Sequence, residues 1–155
     1  MTENTGDKQA QASKIVRNHM LAAIASCVLP IPLLDVGLFT GIQLRMLSKL
    51  AELYEVAFSE QRANAIIGSL AGVSMTMVAA SLLRAIPGVG RVLFAVGGLM
   101  LPPASTYALG QVFIKHFESG GTFLTFDEAR AKEDYEEKVH EGKQVVEQSF
   151  VGVRP

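Results

Sequence analysis

The chain has 155 residues, 49% of them hydrophobic and only 19% charged, with 14 Lys and Arg against 15 Asp and Glu. A net charge of −1 supplies no basic field to gather nucleic acid. The single cysteine, Cys27, excludes an internal disulfide and any CxxC metal or redox pair.

Residues 1–13 are small and polar without apolar periodicity, which predicts a disordered tail. They lack the basic-then-apolar order of a secretory signal, which points to a start in the cytoplasm. A first helix is expected from Lys14 to about Val28. It ends before Pro30 and Pro32, because an interior proline removes a donor and clashes with the preceding turn. Cys27 lies in the apolar run AAIASCVLP and reads as a small buried hydrophobe.

A second helix is expected from about Pro32 to Tyr54, with Leu44, Leu47, Leu50 and Ala51 on one face. Ser59 is placed to cap a third helix running to about Ala85. Pro87, Gly88 and Gly90 then form a turn, because proline stops the helix and glycine permits the tight reversal. A fourth helical region is expected over Val92–Phe117, interrupted at Pro102-Pro103. It ends at ESGG, where Gly120 or Gly121 suits a left-handed cap.

Thr125 and Glu128 fit a capping box and start a last helix reaching about Phe150. Residues 127–148 carry eight Asp/Glu and four Lys/Arg. Tyr135, Val139, Gly142 and Val146 fall on one stripe, read as a narrow docking seam on a solvated helix. The expectation is an all-α protein with two apolar helical hairpins turned by Pro and Gly, plus an acidic amphipathic C-terminal helix. The polar tail takes residues 1–13, the apolar helical domain 14–121, and the charged helix and tail 122–155.

Residues 65–83 and 92–114 contain no formal charge. Both meet the roughly 18–20 residues needed to cross a bilayer. Gly37-x-x-x-Gly41 and Gly68-x-x-x-Gly72 match a spacing that lets helix backbones approach inside lipid. These features point to a membrane-associated protein with both long ends in the cytoplasm. The alternative is a cytoplasmic bundle whose central helices are buried all round. Small residues dilute the hydropathy, and no Trp is present for an interfacial belt.

Asp35 is the one acid in its apolar region. It reads either as a buried charge paired with Arg84, Arg91 or Arg45, or as a first-turn carboxylate favoured by the helix dipole.

The IPGVG turn also has the glycine pattern of two phosphate-binding elements. As a helix-hairpin-helix element it lacks cations, since none follows Arg91 for over twenty residues. As a phosphate loop it fails, because no Gly-Lys-Ser/Thr occurs. His19, His116 and His140 lie in separate segments, without metal-ligand spacing. Ser69, Ser74, Thr76, Ser81, Ser105 and Thr106 read as packing hydroxyls. No catalytic, cofactor or metal site is expected, nor a nucleic-acid partner or a small-molecule substrate.

The segments IVRNHMLAAIASCVLPIPLLDVGLFTGIQLRMLSKLAELYEVAFSEQRANAIIGSL, AIPGVG and STYALGQVFIKHFESGGTF, with the acidic tail, resemble the bacterial YcjF-like, GTPase-associated domain over about residues 14–146. That resemblance implies a hydrophobic all-α domain, a setting at the bacterial inner membrane on its cytoplasmic side, and a P-loop GTPase as partner. The chain carries no P-loop, so it resembles the stand-alone form. The expected function is a non-enzymatic, membrane-associated helical protein serving a GTPase or a stress or membrane machine. The alternative is a soluble all-α interaction module that self-associates.

Overall fold

The computed structural model describes residues 2–26, 34–71 and 100–151, which form five α-helices and no strand. They are α1 Thr2–Ser26, α2 Leu34–Leu53, α3 Glu60–Ala71, α4 Leu101–Glu118 and α5 Glu128–Val151. The all-α expectation holds. The IPGVG turn, and with it Arg84, Pro87, Gly88, Gly90 and Arg91, lies outside the described residues.

One boundary differs from the sequence expectation. The stretch read as a disordered tail is the first half of α1, which begins at Thr2. Its Ala, Gln and Lys residues favour helix, Gln11 bonds back to Asp7, and Ala12 is fully buried in the core. Pro102 and Pro103 open α4, occupying first-turn positions where no N–H is needed, and residues 92–99 of the expected fourth region lie outside the described residues.

Alpha4 is the centre of the bundle. Alpha5, α1 and α2 pack against it, and it is buried on most faces. This explains why residues 101–114 carry no charge: a helix enclosed all round has no polar face. Met46, Leu47 and Leu50 of α2, Ile66 and Ile67 of α3, and Leu109 and Phe113 of α4 fill the centre.

At one end the core becomes an aromatic cluster. Phe113 stacks on Phe126 at 4.7 Å, and Phe123 sits 5.3 Å from Phe113 and 5.5 Å from both Phe117 and Phe58. Edge and offset contacts of this kind add to the area they bury.

The close approaches occur at glycines other than those expected. A Cβ at Gly110 would collide with the Val16 side chain of α1, and one at Gly142 would stand 2.8 Å from the Ala104 carbonyl oxygen of α4. Gly37, Gly41 and Gly68 have nothing within 4 Å of a Cβ position, so they are not packing glycines among the described residues. Gly72 lies outside them.

The turns follow local chemistry. The Arg62 N–H donates to Ser59 Oγ at 3.4 Å, the expected cap of α3. Gly120, at φ +80°, ends α4, with Gly120 N–H on the Phe117 carbonyl and Gly121 N–H on the His116 carbonyl. The cap of α5 is Asp127, whose carboxylate accepts the Arg130 N–H at 3.1 Å, instead of Thr125. A carboxylate one residue before the helix gains from the dipole as well as the hydrogen bond. Thr125 instead accepts the Thr122 N–H inside the turn.

Candidate functional site

The helices alternate in direction. Tyr54 at the end of α2 donates to Glu118 at the end of α4, and Lys8 near the start of α1 lies over the Tyr54 ring. Lys115 at the end of α4 pairs with Asp134 near the start of α5. The start of α1, the α2–α3 loop and the α4–α5 turn therefore share one end, called here the turn end. Ser26, Leu34, Ala71, Leu101 and Val151 lie at the other.

Three regions bring polar or exposed apolar groups together. The first is the α4–α5 seam. Tyr135 is buried, and its hydroxyl shares a hydrogen bond with the Ser105 hydroxyl. Tyr107 donates to Glu141 at 2.6 Å, and Lys138 donates to the other oxygen of that carboxylate at 2.5 Å. Burial and the Glu141 bond push Tyr107 up to about 12. The bonds from Lys138 and Tyr107 hold Glu141 below the ordinary carboxylate value. Burial raises Tyr135, and the Ser105 bond offsets part of that rise. Each phenol keeps its proton at neutral pH, and each is spent on a neighbour. The arrangement clamps two helices and activates no nucleophile.

This seam overturns one expectation. Tyr135 and Val146 are buried and Val139 is partly buried against the core. The apolar stripe of α5 is packed inside the chain instead of being offered to a partner.

The second region is a cleft of about 380 Å³ beside the α4–α5 turn, edged by Lys115, His116, Phe126, Asp127, Arg130 and Asp134. Its polar groups hold the turn: Lys115 pairs with Asp134, Asp127 caps α5, and His116 Nε2 lies 2.9 Å from the Thr122 carbonyl. No group of three or more His, Cys, Asp or Glu could hold a metal among the described residues.

The third region is the end away from the turns. Residues 2–19, 45–62 and 115–141 carry 23 Asp, Glu, Lys and Arg. Residues 20–26, 34–44, 63–71, 101–114 and 142–151 carry three: Asp35, Lys143 and Glu147. The charge is thus segregated along the bundle axis. Leu21, Leu38, Leu101 and Phe150, from four helices, are 39–47% exposed near the poorly charged end. Sequence periodicity missed these four, because it assigns faces and not ends. The uncharged runs were its one signal. Asp35 occupies the second position of α2. No described helix is long and apolar enough to cross a membrane, and residues 72–83 and 92–99 of the two uncharged runs lie outside the described residues.

Gln43 is fully buried in α2, and neither atom of its amide has a hydrogen-bond partner among the described residues.

Comparison with known proteins gives the family and leaves the GTPase association open. The chain is similar to magnetosome membrane protein 22 of Magnetospirillum gryphiswaldense, 36% identical over 147 residues that cover 92% of this chain and 75% of that protein. No solved structure matches. Residues 2–141 match the model of a domain of unknown function, DUF697. The chain belongs to the DUF697 family.

Proposed function

We propose that this chain is a non-enzymatic, membrane-associated helical protein of the bacterial inner membrane, held on its cytoplasmic side. The observation that carries the reading is the axial segregation of charge. An aqueous bundle gains from spreading charge over its whole surface, whereas a bundle with one end in lipid leaves that end bare. The similarity to a magnetosome membrane protein supports a membrane setting. The engagement of the seam's polar groups with one another supports a non-enzymatic role.

The partner we assign is a P-loop GTPase or a comparable membrane machine. The resemblance to GTPase-associated domains supports this by association only. The acidic outer face of α5, with Glu133, Glu136 and Glu137, is the surface left for it.

Flotation of the full chain with vesicles at neutral pH tests the membrane reading. Recovery in the lipid fraction after a high-salt wash supports it. Recovery in the bottom fraction overturns it in favour of the second reading, a soluble all-α interaction module. That second reading is favoured by the burial of α4 on most of its faces within the chain. Crosslinking to a membrane GTPase that changes with its bound nucleotide supports the partner. Crosslinking only to further copies of this chain replaces the GTPase with self-association.

A further inference from the structure

We infer that the end of the bundle bearing Leu21, Leu38, Leu101 and Phe150 is a lipid-docking surface for anionic headgroups, so that the α4–α5 turn points away from the membrane. The inference rests on the membrane reading above and adds which surface is used and which lipids it takes.

Large exposed apolar side chains occur at both ends, and the charges around them decide between the ends. Near the turns, Phe58 and Leu124 are exposed, Leu124 by 76%. The flanking acids Glu55, Glu60, Glu118, Asp127 and Glu128 outnumber the flanking bases Arg62, Lys115 and Arg130, and an anionic membrane repels that excess. The opposite end has the reverse pattern. Each of its four exposed apolar residues lies within about five residues of a helix terminus. At ~1.5 Å per residue that is within about 8 Å of the end, the depth that interfacial apolar groups reach. Arg17, Arg45 and Lys143 sit four to seven residues farther along α1, α2 and α5. That places them about 6–11 Å behind the apolar side chains. Arg17 and Arg45 are exposed and Lys143 half-buried. Glu147 and Glu141 are the acids with a described environment in that zone, Glu141 being paired with Lys138, and they leave a net positive collar at headgroup depth. Long basic side chains at this level reach phosphate while their stems stay in apolar surroundings.

The test uses the full chain with Cys27→Ser and a single cysteine at position 38, 101 or 124, carrying an environment-sensitive fluorophore. Vesicles are phosphatidylcholine alone or phosphatidylcholine with phosphatidylglycerol. Labels at 38 and 101 are expected to shift to the blue with phosphatidylglycerol vesicles, and the label at 124 to stay unchanged. Arg17→Glu with Arg45→Glu is expected to remove the preference for phosphatidylglycerol. Leu38→Asp is expected to weaken partitioning roughly tenfold. A chain that floats while 38 and 101 stay unshifted, or while 124 shifts instead, overturns the inference and leaves the membrane reading standing. A chain that does not float overturns both. A shift at 38 or 101 that follows protein concentration without vesicles assigns the surface to a second copy and overturns the inference. Equal binding to both vesicle types overturns the headgroup preference.

Discussion

Gly142 of α5 lies against the Ala104 backbone of α4, so that a methyl group at 142 would stand 2.8 Å from the Ala104 carbonyl oxygen. Backbone cannot swing aside as a long side chain can, so the two helices must separate to admit it. Gly142→Ala is expected to destabilise by about 1–3 kcal/mol, against the gain of about 1 kcal/mol that alanine brings to an open helix position. Gly37, open on α2, is the control: Gly37→Ala is expected to stabilise by about 0.5–1 kcal/mol. Denaturant unfolding of the two variants reads the contrast. Shifts of the same sign would remove the close approach at 142.

The contact between Gly110 and Val16 makes a sharper case, because both partners can be changed. Val16 is fully buried and β-branched, so its methyl groups have little room to turn. Gly110→Ala alone is expected to destabilise. Val16→Ala opens space on the facing helix, so the double variant should be more stable than the sum of the two single losses by about 0.5–3 kcal/mol. Strict additivity would show that α1 and α4 do not meet at this pair.

Element type was legible because it depends on local chemistry. The apolar period of α2, the Ser59 cap and the ESGG stop are each decided within one or two helical turns. Gly110 and Gly142 were not legible. Whether a glycine faces a backbone or open space depends on which helix lies opposite, and GxxxG spacing marks helix faces without saying which of them is covered. The α5 stripe failed for the same reason: Tyr135 and Val146 have docking-seam spacing, and α4 of the same chain already fills that seam. The start of α1 is not legible from composition, because its polar residues suit a solvated helix as well as a disordered tail, and Ala12 reaches the core. The segregation of charge was half legible, since the uncharged runs are visible but their convergence on one end requires the alternating helix directions.

The cap of α5 separates two local readings of one turn. Asp127 accepts the Arg130 N–H, whereas Thr125 serves the turn before it. Asp127→Ala is expected to cost about 1 kcal/mol, and Thr125→Ala distinctly less. Thermal unfolding at low ionic strength gives the order directly. A larger loss for Thr125→Ala would restore the Thr125–Glu128 capping box.

Alkali provides the last prediction, through Tyr54 and Tyr107. Burial, together with bonds to Glu118 and Glu141, pushes each phenol up to about 12 from its ordinary 10.0. A group raised on folding stabilises the fold below its unfolded value, and that stabilisation is lost as pH rises through the folded value. The window for alkaline loss is therefore pH 10 to 12. Glu141 acts in the opposite sense. Held below 4.5 by Lys138 and Tyr107, it stabilises above that value and ceases to do so as the pH falls through its folded value. The native chain is expected to show little phenolate absorbance at pH 10, and then tyrosine ionisation together with loss of helical circular dichroism before pH 12. Tyr107→Phe removes one raised phenol and should shift the alkaline midpoint upward. Phenolate appearing at pH 10 in a chain that stays helical would show that Glu118 and Glu141 do not hold these hydroxyls. The same window makes an alkaline wash a test of folding as much as of membrane attachment, so attachment is measured at neutral pH.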